Sequence, residues 1–454
     1  MRIHFIAIGG SAMHNLAIAL AKKGYQVTGS DDAIFEPSSS RLKAHNLLPK
    51  TMGWNEDNIT PDLDAVILGM HARADNPELL KAQSLGLKIY SYPEYIYEQS
   101  KQKLRVVVGG SHGKTTITSM IMHVLHVLNR DFDYMVGAQL EGFDTMVRLT
   151  DEAPLIVIEG DEYLSSPIDH RPKFHLYKAD IGVISGIAWD HINVFPTFEN
   201  YVQQFQIFIA TINQNGYLVY NEEDNIVNKV VSDFEDKVKK IAYHSPQNTI
   251  RNGRTYISSN GQDYPLKVFG KHNLQNIEAA HQVCRLLSIS DEEFYKAISS
   301  FKGAARRLEL LAENSFTAVY KDFAHSPSKL KATVEAVKKQ FPERELTAVI
   351  ELHTFSSLNE NFLNEYSGSM DIADIPVVFI DKRTFELKKM PEYHESVVLK
   401  AFGNKKLKFF NDPEILDGFL SSINYKGKNL LLMSSGNFGG LNLKEIAEKI
   451  VHKN

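Results

Sequence analysis

Short runs of apolar, often β-branched residues alternate with segments of helical periodicity along the whole chain. Bounded by turn residues, these runs predict strands in three successive series, at 3–8, 26–28, 65–68 and 88–90, then at 104–108, 155–158, 181–184 and 216–220, and finally at 316–320, 345–351, 376–380, 397–401 and 429–433. Helix-period segments lie between them, for example at 115–128, 274–287, 328–340 and 443–451. Regular alternation of this kind favours an α/β fold with parallel sheets.

The three series of strands predict three α/β domains in the 454 residues of the chain. A polar and charged segment at 98–103 predicts the first linker, and the apolar pattern breaks again near 314. We therefore expect domains at 1–102, 103–313 and 314–454.

Composition excludes several classes of protein. The net charge is −5 and no basic run is present, which argues against a nucleic-acid partner because phosphate contacts need clustered cations. Without 18 consecutive apolar residues, no membrane insertion is expected. A single cysteine, Cys284, rules out an internal disulfide framework, and its apolar surroundings predict a helix core position. These features favour a cytoplasmic protein.

A glycine-rich turn joins a predicted strand to a predicted helix at 109–116, with the sequence GGSHGKTT. Glycines let consecutive backbone N–H groups point inward toward an anion, and the helix N-terminus adds partial positive charge. Lys114 would neutralise the β- and γ-phosphates of a nucleotide, and Thr115 would offer its hydroxyl to Mg²⁺. The strict motif fails at its first position, where Val108 stands. The strand before and the helix after it still predict a P-loop ATPase-like central domain.

Acidic residues follow the neighbouring predicted strands. The strand at 155–158 ends in the sequence EGDE, which includes Glu162, and the strand at 181–184 leads to Asp190 and His191. Because parallel strands present their carboxyl ends at one edge of a sheet, these groups are expected to meet the nucleotide-bound metal there. On its own, His191 would be interpreted as a hydrogen-bonded loop histidine.

The first predicted strand also runs into a glycine turn and a helix, which is a Rossmann-like start. Its residues Gly9, Gly10, Ser11, Ala12 and Met13 depart from the dinucleotide pattern G-x-G-x-x-G, because the glycines are adjacent and the third is absent. A diphosphate of another nucleotide suits this turn equally well. A nicotinamide-dependent oxidoreductase is the rival interpretation, but it leaves the second glycine loop without a role.

In order, the motifs GSHGKTT, EGDEY, DH, GKHNLQN, RRLE and DFAHSP resemble those of the Mur ligases, and the likeness covers almost the whole chain. The resemblance implies a three-domain ATP-dependent amide ligase, with a Rossmann-like C-terminal domain, that acts in peptidoglycan synthesis through an acyl phosphate. ATP, Mg²⁺, UDP-N-acetylmuramate and an amino acid or short peptide acceptor are the implied ligands. A monomer or weak homodimer is expected.

The resemblance also implies roles for individual residues. The residues expected to cradle the ATP phosphates are Gly110, Ser111, His112, Gly113, Lys114, Thr115 and Thr116. Further ATP contacts are expected from His272, Asn273 and Asn276, the last of them at the adenine edge, from Asp322 at the ribose and from Arg307 at the γ-phosphate. The implied metal ligands are Thr115, Glu162 and His191. His191 or His325 would help to deprotonate the acceptor amine.

In the first domain the resemblance is to the family members that take UDP-N-acetylmuramate itself. The implied substrate-binding residues are Gly9, Gly10, Ser11, Ala12, Met13, Ser30 and Asp31. The short chain, the segment MSSGNFGG at 433–440 and the Lys173-Phe174 pair resemble the murein peptide ligase branch, which attaches the recycled tripeptide L-Ala-γ-D-Glu-meso-diaminopimelate. Addition of L-alanine is the alternative within the family. A folate-polyglutamate ligase lacks the extra first domain.

Four departures from the family pattern bear on this interpretation. Ser111 replaces a threonine, Ser185-Gly186 replaces a Thr-Asn pair, Lys321 replaces an aspartate, and the sequence ELHTF at 351–355 stands where relatives carry Pro and Arg. The last change falls in the domain that receives the acceptor, so it leaves the acceptor open. The Gly186 and Lys321 departures keep open a catalytically inactive nucleotide-binding relative.

Overall fold

The computed structural model describes residues 1–189, 194–234, 238–303 and 307–453. Its sheets are dominated by parallel strands, which confirms the α/β class. The chain forms two compact units: residues 1–245 with 275–298, and residues 246–274 with 299–454. The domain limits at 102 and 313 stay a prediction.

The first sheet has four parallel strands in the order β2-β1-β3-β4. Its strands are β1 (Arg2–Ile6), β2 (Gln26–Ser30), β3 (Ala65–Leu68) and β4 (Ile89–Ser91). The helices are α1 (Ser11–Lys22), α2 (Ser38–Ala44), α3 (Pro77–Ser84) and α4 (Tyr92–Ser100), with a short 3₁₀ helix at Glu56–Asn58. A capping box between Ser91 and Glu94 starts α4, which takes in part of the expected linker.

The second sheet has the order β11-β10-β9-β5-β8-β6-β7, parallel except for β7 at its edge. Its strands are β5 (Leu104–Gly109), β6 (Asp133–Met135), β7 (Val147–Arg148), β8 (Leu155–Glu159), β9 (Ile181–Ile184), β10 (Tyr217–Asn221) and β11 (Lys239–Tyr243). The helices that follow these strands are α5 (Lys114–Val127), α6 (Lys173–Leu176), α7 (Phe198–Thr211) and α8 (Asn225–Ser232), and α9 (Lys271–Leu286) and α10 (Asp291–Ile298) come later.

In the first unit, one apolar cluster includes buried residues of both sheets, among them Phe5 and Ile156. The two sheets also share polar contacts, since Met146 N donates to Asn15 Oδ1 at 3.0 Å and Arg41 Nη2 donates to Asp144 O at 2.9 Å. Cys284 is buried in α9, which confirms the expected core position.

The second unit contains a small antiparallel sheet and a six-stranded sheet. The small sheet comprises β12 (Asn248–Arg251), β13 (Arg254–Ser259) and β14 (Gln262–Pro265). The larger one, in the order β15-β16-β20-β17-β18-β19, comprises β15 (Glu309–Glu313), β16 (Ala318–Asp322), β17 (Glu345–Glu351), β18 (Ile375–Phe379), β19 (Lys408–Phe410) and β20 (Lys428–Met433). Only β15 runs antiparallel in it.

The helices of the second unit cover both faces of the larger sheet with separate apolar clusters. They are α11 (Pro327–Gln340), α12 (Glu360–Leu363), α13 (Lys382–Lys388), α14 (Glu395–Phe402), α15 (Pro413–Ser422) and α16 (Leu443–Lys453), with 3₁₀ helices at Asn364–Tyr366 and Phe438–Gly440. The predicted strand at 397–401 is wrong, because this segment lies inside α14, where Val398, Ala401 and Phe402 are buried at helical spacing. The antiparallel β7, β12–β14 and β15 were also not expected from the sequence.

Candidate active site

The glycine turn between β5 and α5 has the backbone that its sequence predicts. Gly110 has a φ of +133° and Gly113, the residue before α5, has a φ of +78°. Only glycine adopts these angles without strain. Parallel strands place the carboxyl ends of β5, β8 and β9 side by side, and the predicted phosphate turn lies at this edge.

Lys114 is paired inside the turn. Its Nζ donates to Glu162 Oε2 at 2.5 Å and to Gly110 O at 2.8 Å. Burial alone would lower the pKa of Lys114, but the negative charges of Glu162 and Asp161 outweigh it and leave the pKa above its ordinary value. Lys114 is therefore a held cation at the place where the phosphates are predicted.

Thr115 makes a corresponding contact with the acidic end of β8. Its Oγ1 donates to Glu159 Oε1 at 2.8 Å, while Gly137 N donates to Glu159 Oε2 at 2.7 Å. Burial raises the pKa of Glu159, even though Gly137 and Lys114 act in the opposite direction. The sequence predicts an acidic strand end here but assigns only Glu162 as a metal ligand, so the contact of Glu159 with Thr115 adds a second carboxylate.

The donor set at this edge fits a hard divalent cation. Thr115 Oγ1 and the carboxylates of Glu159 and Glu162 supply oxygen ligands of the kind that Mg²⁺ prefers, beside the predicted phosphates. Within the described residues, no group of three His, Cys, Asp or Glu side chains could hold a metal ion by itself. His191, predicted as a metal ligand and candidate base, lies outside the described residues together with Asp190.

The end of β9 packs directly on the glycine turn. Ser111 N donates to Gly186 O at 2.9 Å, Ser185 N donates to Gly109 O at 3.1 Å, and Ser185 Oγ donates to His112 O. A Cβ on Gly110 would collide with Ser185 Oγ. Ser185 and Gly186, which depart from the family pattern, thus fix the shape of the turn through backbone hydrogen bonds and one bond from the Ser185 hydroxyl.

Tyr201, which sequence reasoning missed, joins two parts of this site. Its hydroxyl lies 2.8 Å from Ser111 Oγ and donates to Glu162 Oε1 at 3.1 Å, and the residue is fully buried on α7. Ala188 N donates to Ser111 Oγ at 2.8 Å. The predicted loop residue Ser111 is thus connected to the predicted metal ligand Glu162 through a tyrosine.

The three polar residues at the start of α9 differ in their surroundings. Asn276 lies against the glycine turn, because a Cβ on Gly113 would come within 2.5 Å of Asn276 Oδ1. Asn273 donates its Nδ2 to Phe269 O at 2.8 Å. Burial lowers the pKa of His272, and the charge of Asp322 opposes that shift. The structure brings Asn276 to the turn, whereas the amide of Asn273 bonds to the chain just before its own helix.

The predicted ribose ligand, Asp322, is buried and bonded within the second unit. Its Oδ2 accepts from Leu308 N at 2.7 Å, and its Oδ1 accepts from Ala324 N at 2.8 Å and from Thr333 Oγ1 at 3.3 Å. These bonds tie the end of β16 to the chain on either side of it. They give the carboxylate a structural role beside any role toward a nucleotide.

Two further predicted catalytic residues lie near the end of β16. The guanidinium carbon of Arg307 lies 4.8 Å from the centre of the Phe323 ring, and the ring of His325 packs edge-on against the same phenyl group. His325 Nδ1 is 2.9 Å from Phe323 O. Phe323 thus brings Arg307 and His325 together, and their roles toward phosphate and amine stay proposals.

One buried carboxylate bonds to the first glycine turn, and a second bonds to the end of β2. Gly9 N donates to Asp31 Oδ2 at 2.7 Å, and burial raises the pKa of Asp31. Ser30 Oγ donates to Glu78, a fully buried residue that also accepts from Asn55 N at 3.0 Å. Asp31 and Ser30 therefore hold the ends of β1 and β2.

The other predicted UDP-site residues form the start of α1. Gly10 precedes the helix as its N-cap without a side-chain capping bond, and Ser11 and Ala12 are exposed in its first turn. Met13 is buried in the core. The free N–H groups are thus at Gly10, Ser11 and Ala12, where an anion is best accommodated.

A third polar cluster lies at the carboxyl ends of β17 and β20. Glu351 is buried and accepts from Ser434 Oγ and, at 2.9 Å, from Phe438 N. Arg383 Nη2 donates to Gly439 O at 2.9 Å. These contacts shape the segment 434–440, where Phe438, Gly439 and Gly440 all have positive φ. Sequence reasoning had singled out both segments without predicting that they touch.

Among the residues that the structure describes, no helix is both long and apolar enough to cross a membrane. Family models described as the Mur ligase middle domain and as the catalytic domain of the Mur ligase family match residues 108–284 and 2–103. A UDP-N-acetylmuramate–L-alanine ligase from a Sulfurihydrogenibium species is 30% identical over 99% of this chain and 98% of its own.

Two solved structures are similar over the whole chain. The UDP-N-acetylmuramate–alanine ligase of Thermotoga maritima has a TM-score of 0.70 with 20% identity, covering 100% of this chain and 99% of that one. A murein peptide ligase of Psychrobacter arcticus has a TM-score of 0.63 with 22% identity, covering 99% of both chains. At these identities the likeness establishes a shared fold.

Proposed function

The chain belongs to the Mur ligase family of ATP-dependent amide ligases, and we propose that it joins the carboxylate of UDP-N-acetylmuramate to the α-amine of an L-alanine residue. The observation that carries the proposal is the pairing of Lys114 with Glu162 at the turn that precedes α5. A cation and a carboxylate held at a glycine-rich helix N-terminus suit a nucleotide triphosphate and its metal.

The reaction proceeds in two steps. A carboxylate oxygen of the muramyl group attacks the γ-phosphorus, the bond to the ADP oxygen breaks, and an acyl phosphate forms. The amine nitrogen then attacks the acyl carbon, phosphate leaves, and the nitrogen loses a proton to a base. Lys114 and the backbone N–H groups of the turn stabilise the negative charge that develops on the transferred phosphoryl group.

Thr115, Glu159 and Glu162 would hold the magnesium ion in this scheme. When bound, Mg²⁺ neutralises phosphate charge and orients the γ-phosphoryl group. Glu162 now contacts Lys114 and would serve as a ligand of the ion once the lysine contacts the phosphates instead. This scheme accounts for the burial of Glu162, just after β8, beside Lys114.

Free L-alanine is the acceptor that the relatives favour. Eight relatives at 29–31% identity are UDP-N-acetylmuramate–L-alanine ligases. The tripeptide L-Ala-γ-D-Glu-meso-diaminopimelate is the second candidate. It is supported by the likeness of residues 433–440 and of Lys173-Phe174 to the murein peptide ligase branch. Both acceptors present the same nucleophile, the α-amine of L-alanine.

Release of ADP and phosphate tests the reaction and separates the acceptors. The full-length chain is mixed with ATP, Mg²⁺ and UDP-N-acetylmuramate, and then receives L-alanine, the tripeptide, or the tripeptide acetylated at its N-terminus. We expect turnover with one of the first two and none with the acetylated peptide, because acetylation converts the amine into an amide whose nitrogen lone pair is delocalised and no longer nucleophilic. Turnover with neither amine contradicts the proposed function. A higher kcat/KM for the tripeptide reverses the order of the two acceptors.

A further inference from the structure

Tyr201 lies at the centre of a hydrogen-bonded chain that crosses the nucleotide edge of the second sheet. Its ring is fully buried against Phe195 and Phe205, at centroid distances of 5.5 Å and 5.3 Å. Its hydroxyl lies between Ser111 Oγ, at 2.8 Å, and Glu162 Oε1, at 3.1 Å. One side chain from α7 therefore touches both the glycine turn and the acidic strand end.

The direction of each hydrogen bond follows from the donors available. A carboxylate paired with Lys114 accepts only, so Tyr201 donates its proton to Glu162. The Tyr201 oxygen then accepts the proton of Ser111. The Ser111 oxygen in turn accepts from Ala188 N at 2.8 Å, just after β9. The chain runs in one direction, with every proton used.

In this arrangement the two carboxylate oxygens of Glu162 have different hydrogen-bond partners. Oε1 is held by Tyr201, whereas Oε2 contacts Lys114, the residue proposed to turn toward the phosphates. When Lys114 moves to the nucleotide, Oε2 loses this contact while Oε1 keeps its bond to Tyr201. The carboxylate then keeps its orientation at the moment when it is needed as a metal ligand.

We propose that Tyr201 is a positioning residue that orients Glu162 toward the nucleotide-bound metal and connects that ligand to Ser111 in the phosphate turn. The inference rests on the proposed function, because Glu162 is a metal ligand only if the turn binds a metal nucleotide. Partners that orient a ligand through a hydrogen bond contribute about 10–100-fold to metal affinity.

Other buried tyrosines of the same unit show that burial alone does not explain this arrangement. Tyr177 is as fully buried as Tyr201, but its hydroxyl has no hydrogen-bond partner in the described part of the chain. Burial raises the pKa of Tyr177 well above its ordinary value. Tyr177→Phe is therefore a matched control that removes a buried hydroxyl without breaking a bond to the site.

The experiment measures metal binding separately from turnover. Full-length wild type, Tyr201→Phe, Tyr177→Phe and Ser111→Ala are titrated with Mn²⁺ in the presence of a non-hydrolysable ATP analogue, and bound Mn²⁺ is followed by electron paramagnetic resonance. Tyr201→Phe is expected to weaken Mn²⁺ binding about tenfold. Ser111→Ala shifts it in the same direction. A variant that combines Tyr201→Phe with Ser111→Ala should lose less affinity than the sum of the two single changes, because both changes break one chain of hydrogen bonds.

Each outcome decides the inference. Unchanged Mn²⁺ affinity in Tyr201→Phe, or an equal loss in Tyr177→Phe, overturns it while leaving the proposed function intact. If the wild type itself binds no Mn²⁺ with the nucleotide analogue, the proposed function fails and the inference fails with it. A thermal unfolding midpoint of Tyr201→Phe near that of Tyr177→Phe shows that the shift in affinity is not a general loss of folding.

Discussion

Lys114 Nζ lies 2.5 Å from Glu162 Oε2, so the proposed phosphate cation and the proposed metal ligand neutralise each other before any nucleotide arrives. Both groups are largely removed from solvent, since the lysine side chain is 15% exposed and the glutamate is not exposed at all. A buried pair of this kind is costly to break on one side only. In the proposed function, an arriving metal nucleotide would supply opposite charges to both partners at once and so compensate for their separation.

Replacing Lys114 by methionine removes the charge and keeps the length of the side chain. We expect ATP-dependent turnover to fall by about 10²–10³-fold, because one electrostatic donor to the developing phosphoryl charge is lost. Binding of UDP-N-acetylmuramate, measured by calorimetry, should persist. Lys101→Met is the control, since Lys101 is exposed and pairs with Glu98 at the end of α4. Full turnover in Lys114→Met would remove the phosphate assignment.

Gly113→Ala tests the contact between the turn and Asn276. A Cβ at Gly113 would meet Asn276 Oδ1 at 2.5 Å, and the φ of +78° strains any residue with a side chain. Gly427→Ala is a matched control, with a φ of +77° and nothing within 4 Å of the added atom. We expect the KM for ATP to rise about tenfold or more in Gly113→Ala alone. If the two variants raise the KM for ATP equally, the increase is due to backbone strain and not to the contact with Asn276.

We also expect the effects of Gly113→Ala and Asn276→Ala on ATP affinity to be non-additive. Removing the amide relieves the collision, so the double variant should recover part of the ATP affinity that Gly113→Ala loses. Asn276→Ala by itself should raise the KM for ATP and leave that for UDP-N-acetylmuramate unchanged. An additive double variant would show that the two residues act independently.

Asp322→Asn separates a structural role from a ribose contact. Asp322 accepts from two backbone N–H groups, one on each oxygen. An asparagine at this position would place its NH₂ donor against one of these N–H donors, so that one hydrogen bond is lost. We expect a loss of about 1–3 kcal/mol in the unfolding free energy without any nucleotide present. Thermal melting measures this, with the exposed Asp371→Asn as control. An unchanged melting midpoint with a raised KM for ATP would favour the ribose role alone.

Much of the proposed nucleotide edge could be predicted because its signals are local. The turn at 109–116 contains strand, glycines, lysine and helix within a few residues, and the acidic residues directly follow β8. Tyr201 gives no such signal, since it lies ninety positions from Ser111 within an amphipathic helix where an aromatic residue predicts only packing. The contact between Glu351 and Ser434 joins two strands that are adjacent in the sheet but distant in sequence.

The fold shows the same limit. Parallel strands with long apolar runs were predicted correctly, whereas the segment at 397–401 was assigned to a strand because five residues are too few to separate the two periodicities. The edge strands β7 and β15 are antiparallel and partly exposed, so neither has a strong apolar pattern. Their pairing depends on neighbours that only the folded chain supplies.

From the lowered pKa of His175 we predict how the stability of the first unit depends on pH. Its ring is buried and lies 2.7 Å from Gln204 O through Nε2, and burial lowers its pKa to about 4 from an ordinary value of 6.5. The unfolded chain therefore takes up a proton near pH 6.5 that the folded chain refuses until about pH 4. The contribution of His175 to the unfolding free energy is fully present above pH 6.5 and falls by about 3 kcal/mol in total as the pH drops from 6.5 to 4.

His175→Gln removes the titrating ring and keeps a donor for the Gln204 carbonyl. Thermal unfolding at pH 7 and pH 5 should show a smaller drop in midpoint for this variant than for the wild type, by several degrees, at about 2–4 °C per kcal/mol. The control is His170→Gln, because His170 is exposed on the preceding loop and its replacement should leave the drop unchanged. If His175→Gln and the wild type lose the same number of degrees, the histidine takes its proton in the folded state as easily as in the unfolded one, and the acid sensitivity has another origin.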